Sequence, residues 1–279
     1  MSPALRFLFS TGSLYTYGID RCFALAARAG FDGIELMADR RWDTRQPEYL
    51  LGLMDRFALP IAAVHVPLES DVLSGWPDDY AGRIVQTVEL AQALAAGVVV
   101  HHLPPRFLMF WLRGRKARLP VLLPGKEPYS AWLETSYAAL QARAGATLCI
   151  ENMPAVQIAG ARWNLSRWNS AEGLARFPCI TLDTTHLGTW GLDPLAVYDR
   201  LRDRVRHVHL SNFDGKEHRR PEDGRLPLDQ LLARLGADGY GGAVTVELAP
   251  DALNAGHADE EVAGLMAASL RYCREAVGK

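Results

Sequence analysis

The sequence predicts a single α/β domain, a (β/α)8 TIM barrel spanning residues 1–279, and three observations predict it. Eight short, β-rich apolar runs alternate along the whole chain with longer segments of helical spacing. Several runs are introduced by a helix-ending glycine, as in RAGFDGIEL, AAGVVVHH and RAGATLCIEN, the left-handed stop expected where a helix turns back toward a sheet. The glycine-rich phosphate turn of a doubly wound open sheet is missing after the first run, which favours closure into a parallel barrel joined by right-handed crossovers.

Taken in order, the strands are Leu5–Phe9, Gly33–Met37, Ile61–Val66, Val98–His102, Thr147–Glu151, Ile180–Asp183, Val205–Leu210 and Ala243–Leu248. The helical patterns that alternate with them are Cys22–Ala29, Glu48–Phe57, Asp79–Ala95, Tyr129–Ala144, Ala171–Phe177, Pro194–Asp203, Pro227–Leu235 and Asp259–Ala276. A chain of 279 residues, 49% of them hydrophobic, can bury the large core that a barrel of about 250 residues requires. No low-complexity segment or linker interrupts the series, and the repetition is of architecture rather than of sequence.

The formal charge of −2 gives no global basic field, which argues against nucleic acid or an anionic membrane as partner. The four cysteines (Cys22, Cys149, Cys179, Cys273) show no CxxC spacing, as expected of buried thiols in a reducing cytosol. No run of about 18 apolar residues is present, and MSPALRFLFSTGS lacks the layout of a signal peptide, so the expectation is a cytoplasmic protein.

In a parallel barrel the C-terminal strand ends converge on one mouth, where a polar side chain is functional or costly. Those ends read Glu35, His65, His101, Glu151, Asp183, His209 and Glu247, with His186 and His218 in the loops beyond the sixth and seventh strands. Each of the last four strands ends on a group able to bind a metal, in LCIE, ITLD, HVHL and VTVE. Crowded carboxylates repel one another and resist burial unless a cation neutralises them. One divalent metal ion is therefore expected at Glu151, Asp183, His209 and Glu247. Three carboxylates with one imidazole suit Mn2+, Mg2+ or Co2+, whereas recruitment of further histidines favours Zn2+. Strand alternation adds that His207 and His209 both point inward, with His207 a layer deeper in a structural role. His101 and His102 have opposite parity, and His101 is expected to face the axis.

The motifs GFDGIEL (30–36), AVHVP (63–67), VVVHHLP (98–104), IENMP (150–154), LDTTHLG (182–188), VHLSN (208–212), HRRPEDGRLPL (218–228) and VTVELAP (244–250) together resemble the xylose isomerase-like (β/α)8 superfamily of sugar isomerases, epimerases, inosose dehydratase-like proteins and the endonuclease IV group. The resemblance spans the whole chain. It implies Glu151, Asp183, His209 and Glu247 as ligands of one divalent ion, with Glu35 and His186 binding substrate. The arginine that commonly grips substrate after the seventh strand is replaced by Lys216. The endonuclease IV group's trinuclear zinc site would match His65, His101, Glu151, Asp183, His186, His209, His218 and Glu247. One of its ligands falls on Lys216, which an ammonium cannot replace, so a full trinuclear site is not expected.

The function expected from these residues is metal-assisted isomerisation or epimerisation of a small polyhydroxylated carbonyl compound through an enediolate. Glu151 and Glu247 serve as base and acid on the two faces of the reacting carbon. Glu35, His65, His101, His186, Lys216 and His218 hold substrate. The alternatives are a zinc-dependent phosphodiesterase acting on abasic DNA and an inosose dehydratase-like lyase. Two loops border the mouth: residues 104–126, with six basic residues, no acid, and Trp111, and residues 153–169, with Trp163. They are expected to act as a lid, a subunit contact or a cover for the sugar's apolar face. A homodimer is the expected assembly.

Overall fold

In the computed structural model, which describes residues 5–111, 118–122 and 128–278, eight parallel strands close into a barrel. They are β1 (Arg6–Ser10), β2 (Gly33–Met37), β3 (Ile61–His65), β4 (Val98–His102), β5 (Thr147–Glu151), β6 (Ile180–Asp183), β7 (Val205–Leu210) and β8 (Ala243–Val246). Neighbours in sequence are neighbours in the sheet, and β8 returns to β1 with Arg6 opposite Ala243 and Phe9 opposite Val246. The predicted strands are all present. The largest displacement is at β8, where Leu248 donates its N–H to Ser13 Oγ at 2.8 Å and so leaves the ladder.

The outer layer holds α1 (Ile19–Ala29), α2 (Pro47–Phe57), α3 (Tyr80–Ala93), α4 (Pro128–Thr135), α5 (Tyr137–Arg143), α6 (Ala171–Leu174), α7 (Thr184–Trp190), α8 (Pro194–Leu201), α9 (Leu228–Ala237) and α10 (Asp259–Val277). Helix α1 shows the local logic. Ile19, Cys22, Phe23 and Ala26 recur at spacings of three and four and bury one stripe against the sheet. Gly30 then takes φ 88°, and its N–H bonds Ala26 O and Ala27 O. The single helix expected over 129–144 is broken at Ser136 (φ −121°) into α4 and α5. Tyr129 and Tyr137, one from each piece, both reach His101. Helix α7 falls in LDTTHLG, read from sequence as a loop.

Outward-facing strand residues such as Phe9, Ile34, Val64, Ile150, Leu182 and Val244 join the helices in the main core. Each fully buried side chain of this kind contributes about 1.5–3 kcal/mol. Inside the barrel a small apolar layer of Leu8, Ala63 and Ala243 closes the lower end. Above it, inward positions become polar. Two antiparallel hairpins project beyond the barrel, Phe107–Trp111 with Arg118–Leu122, and Val156–Ile158 with Ala161–Trp163. Residues 112–117 and 123–127 of the basic 104–126 segment lie outside the described residues. All four cysteines are free. Among the described residues no helix is long and apolar enough to cross a membrane.

Candidate metal centre

Glu151 ends β5, Asp183 ends β6, His209 lies on β7, and Glu247 directly follows β8. One ligand atom from each lies within 4.8 Å of the others. His209 Nδ1 is 3.0 Å from Glu151 Oε1, 3.1 Å from Glu247 Oε2 and 3.8 Å from Asp183 Oδ2. Asp183 Oδ1 accepts from the N–H of His186 at 2.7 Å and so caps α7, while its Oδ2 is buried with no hydrogen-bond partner. An orphaned carboxylate oxygen, a second and third carboxylate and an imidazole nitrogen converging on one point match the donor set of a hard or borderline divalent cation. Asn152 fixes the first two ligands to each other: its side chain donates to Asp183 O (3.0 Å) and accepts from Asp183 N–H (2.8 Å).

The protonation pattern has the same cause. Burial opposes charge on Glu151 and Glu247, but the His209 imidazolium outweighs it. Glu247 is held down at about 2, and Glu151, which His102 and His65 also contact, lies well below the usual carboxylate range. Asp183 goes the other way, pushed well up by burial and the Glu151 charge. The His209 ring, despite burial, is held well above the usual imidazole value by Glu35, Glu151 and Glu247. A proton on Nδ1 thus does part of what a cation would do between these carboxylates.

Beneath the centre, Glu35 Oε1 makes an ion-pair contact with His209 Nε2 at 2.9 Å. Glu35 Oε2 binds His207 Nε2 at 2.6 Å and accepts from the Thr245 hydroxyl at 2.8 Å. His207 therefore lies inward and one layer deeper, as its parity requires. Glu35 departs from its expected place among the strand ends: two residues short of the predicted and observed end at Met37, it is fully buried under His209. It cannot touch substrate from there. Burial resists its ionisation, yet His209 and His207 hold its carboxyl well below the usual range. It is a buried counter-charge that leaves Nδ1 of His209 as the nitrogen aimed at the mouth.

Two histidine clusters flank the four ligands. On one side His65 Nδ1 bonds Val66 O at 2.8 Å, leaving Nε2 3.3 Å from Glu151 Oε2. His102 Nε2 approaches the same oxygen at 3.4 Å. Here the sequence expectation is reversed. In register His102 lies opposite Glu151, so it shares the inward parity of Val98 and Val100. His101 points the other way, into the helical layer, where Nδ1 and Nε2 meet the hydroxyls of Tyr129 (2.8 Å) and Tyr137 (3.3 Å). It is absent from the mouth, and its expected substrate contact is lost with it.

On the other side His186 Nδ1 bonds Asn152 O at 2.7 Å, and its Nε2 faces Glu217 Oε2 at 4.0 Å. His186, Glu217 and His218 form a third group of potential ligands. Glu217 was not singled out from sequence. Lys216 lies exposed with its backbone N–H on Asp214 Oδ1 (2.9 Å), and the carboxylate beside His186 and His218 is that of its neighbour Glu217. The loop carrying these residues is pinned by Asn212, whose Oδ1 accepts from Phe213 and Leu226 N–H (2.8 and 2.9 Å) and whose Nδ2 donates to Pro221 O (2.8 Å). A Cβ on Gly224 would stand 2.3 Å from that Oδ1, so the turn admits only glycine.

Of the tryptophans, Trp163 is exposed at the end of the second hairpin and belongs to none of these clusters. Trp111 ends a strand of the first hairpin, and its side chain lies outside the described residues.

Comparison with known proteins agrees with the barrel fold. An uncharacterized protein of Mycobacterium bovis is 26% identical over 98% of each chain. Fructoselysine 3-epimerase of Escherichia coli O157:H7 is 38% identical over 56 residues, 19% of this chain and 20% of that one. Among solved structures, the 3-keto-D-glucoside 4-epimerase YcjR of E. coli superposes with a TM-score of 0.70 at 17% identity, covering 98% of this chain and 100% of that chain. The profile of the xylose isomerase-like TIM barrels matches residues 23–275, and the chain belongs to that family.

Proposed function

We propose that the protein is a metal-dependent epimerase or isomerase of a small sugar-like carbonyl compound. The observation that carries this reading is the approach of two carboxylates from different strands, Glu151 and Glu247, to one atom, His209 Nδ1, at 3.0 and 3.1 Å. The epimerases among its relatives and structural neighbours support it. A divalent ion held by Glu151, Asp183, His209 and Glu247 would polarise the substrate carbonyl and stabilise the charge of an enediolate.

The chain's own residues supply the proton chemistry. Glu151, kept ionised by His209, His102 and His65, is the base that removes the proton beside the carbonyl. Glu247, next to the mouth and steadied by the Ser10 hydroxyl at 3.3 Å, starts ionised, takes up a proton from solvent and delivers it to the other face, while Glu151 gives its captured proton back to solvent. His186, its Nδ1 committed to Asn152 O, presents Nε2 to a substrate oxygen. His218 stands beside it, the two rings 5.6 Å apart. The same reading makes it a cytoplasmic enzyme whose partner is its small substrate, with a homodimer as the assembly.

The test is solvent exchange. The metal-loaded protein, incubated in D2O with a panel of ketoses, keto-sugars and their phosphates, should exchange one carbon-bound proton, seen by NMR, and Glu151→Gln should abolish it. Absence of metal-dependent exchange on every compound removes the reading. A second reading, zinc-dependent phosphodiester cleavage, draws on the two flanking clusters, His65–His102–Glu151 and His186–Glu217–His218. Three zinc ions per chain by elemental analysis, with cleavage of abasic-site DNA, would establish it instead.

A further inference from the structure

The centre and its flanking clusters draw on β3 to β8. The loops after β1, β2 and β3 build the rest of the mouth, and their chemistry is different. A cavity of about 370 Å³ opens there, walled by Tyr15, Met37 and Leu68 and edged by two pairs of charged side chains, Arg40 with Asp71 and Arg41 with Asp39. Two links run from its wall to the centre. Gly12, on its wall, donates to Ser10 Oγ at 3.2 Å, and that hydroxyl donates to Glu247 at 3.3 Å. Met37 is the cross-strand partner of His65, whose ring contacts Glu151.

The same three loops carry large apolar side chains left in solvent: Tyr15 (58% exposed), Trp42 (68%), Leu68 (41%) and Val72 (84%). Apolar side chains grouped beside a polar centre mark a surface that a ligand covers. A free sugar carries a hydroxyl on nearly every carbon, and walls of Tyr15, Met37 and Leu68 offer those hydroxyls few partners. The charges at the edge already satisfy each other, with Arg40 Nε 3.1 Å from Asp71 Oδ1 and Arg41 Nη2 2.6 Å from Asp39 Oδ2. What fits this half of the mouth is an apolar group.

We propose that the substrate is a keto-sugar bearing an apolar aglycone, an aryl or alkyl glycoside, with the sugar over the centre and the aglycone between Tyr15, Met37 and Leu68. This rests on the epimerase reading above. Discrimination for such a substrate comes from the buried apolar area, and burial of one aryl ring yields about tenfold or more in kcat/KM.

The experiment uses the full chain loaded with Mn2+. Turnover is compared between a 4-nitrophenyl keto-glucoside and the matching free keto-sugar, and binding of the non-reacting 4-nitrophenyl glucoside is followed by saturation-transfer NMR. The expected result is about tenfold or higher kcat/KM for the aryl compound, with saturation on its aryl protons. Leu68→Asp, or the milder Leu68→Ser should the first fail to fold, pulls the ratio of the two kcat/KM values toward one. Equal turnover of both sugars without aryl saturation overturns the inference and leaves the epimerase reading standing. Leu68-sensitive aryl binding with no turnover of any sugar keeps the aglycone site and removes the epimerase reading. Neither binding nor turnover overturns both. A dimer that dissociates on Val72→Asp, without preference for the aryl compound, assigns the rim to a second copy and overturns the inference as well.

Discussion

Asp183 gives its two carboxylate oxygens separate tasks, one capping α7 and the other turned, unpartnered, toward His209 Nδ1. The amide of Asp183→Asn keeps the cap, removes a carboxyl that its neighbours already force toward neutrality, and loses the charge a cation needs. Without metal, the variant should unfold at the same or a higher temperature than the parent. The rise in Tm on adding Mn2+ or Co2+ should disappear, and a persistent rise would show that Asp183 is no ligand. Glu35 acts at one remove. Its buried charge opposes His209 Nε2 at 2.9 Å, so Glu35→Gln should weaken metal binding about 10–100-fold without touching the ion, as loss of such outer partners does. Competition against a chromophoric chelator measures this, and unchanged affinity would leave Glu35 with packing alone.

At the scale of elements, His101 ties β4 to α4 and α5 through two tyrosine hydroxyls. Burial pushes its pKa from 6.5 down to about 3. Between those values the unfolded chain binds a proton that the folded chain refuses, so stability rises with pH across the window and is lost as pH falls through it. The loss is about 1.4 kcal/mol per pH unit for one such group. His101→Gln should flatten the pH dependence of urea-unfolding free energies between pH 6 and 4 by about one proton; an unchanged slope would mean that His101 is protonated in the fold.

This strand also marks where the sequence stops being legible. VVVHH is buried on both faces, so no polar–apolar alternation tells which histidine looks inward, and only the register with Glu151 decides for His102. The convergence of Glu151, Asp183, His209 and Glu247 was readable because each lies at or next to the end of a strand whose apolar run is unambiguous. Glu35 groups with these ends in sequence although the predicted strand already runs to Met37, and its mid-strand position puts it a layer down. Glu217 had no periodic signal at all: it sits in an irregular loop beside His218, whose φ of 57° no pattern announces. The strands could be placed almost to the residue, whereas α7 was hidden because Asp183 is at once a strand end and a helix cap.

For the whole molecule, the centre concentrates unfavourable charge in the interior, and a bound ion would reverse that cost. At a hundredfold excess over Kd, an ion that binds only the folded chain adds about 2.7 kcal/mol. At roughly 2–4 °C per kcal/mol this is a rise in Tm of roughly 5–10 °C, removed by EDTA. Scanning calorimetry at pH 7 checks it; no shift with Mn2+, Co2+, Mg2+ or Zn2+ would argue against a metal centre.

The seam where β8 meets β1 has a temporal meaning. Ser10, near the start of the chain, reaches Glu247, near its end, and Phe9 pairs in register with Val246. During synthesis, a polypeptide halted on the ribosome before β8 emerges lacks Glu247 and the stave that closes the barrel, so the four groups of the candidate centre first come together when β8 is in place.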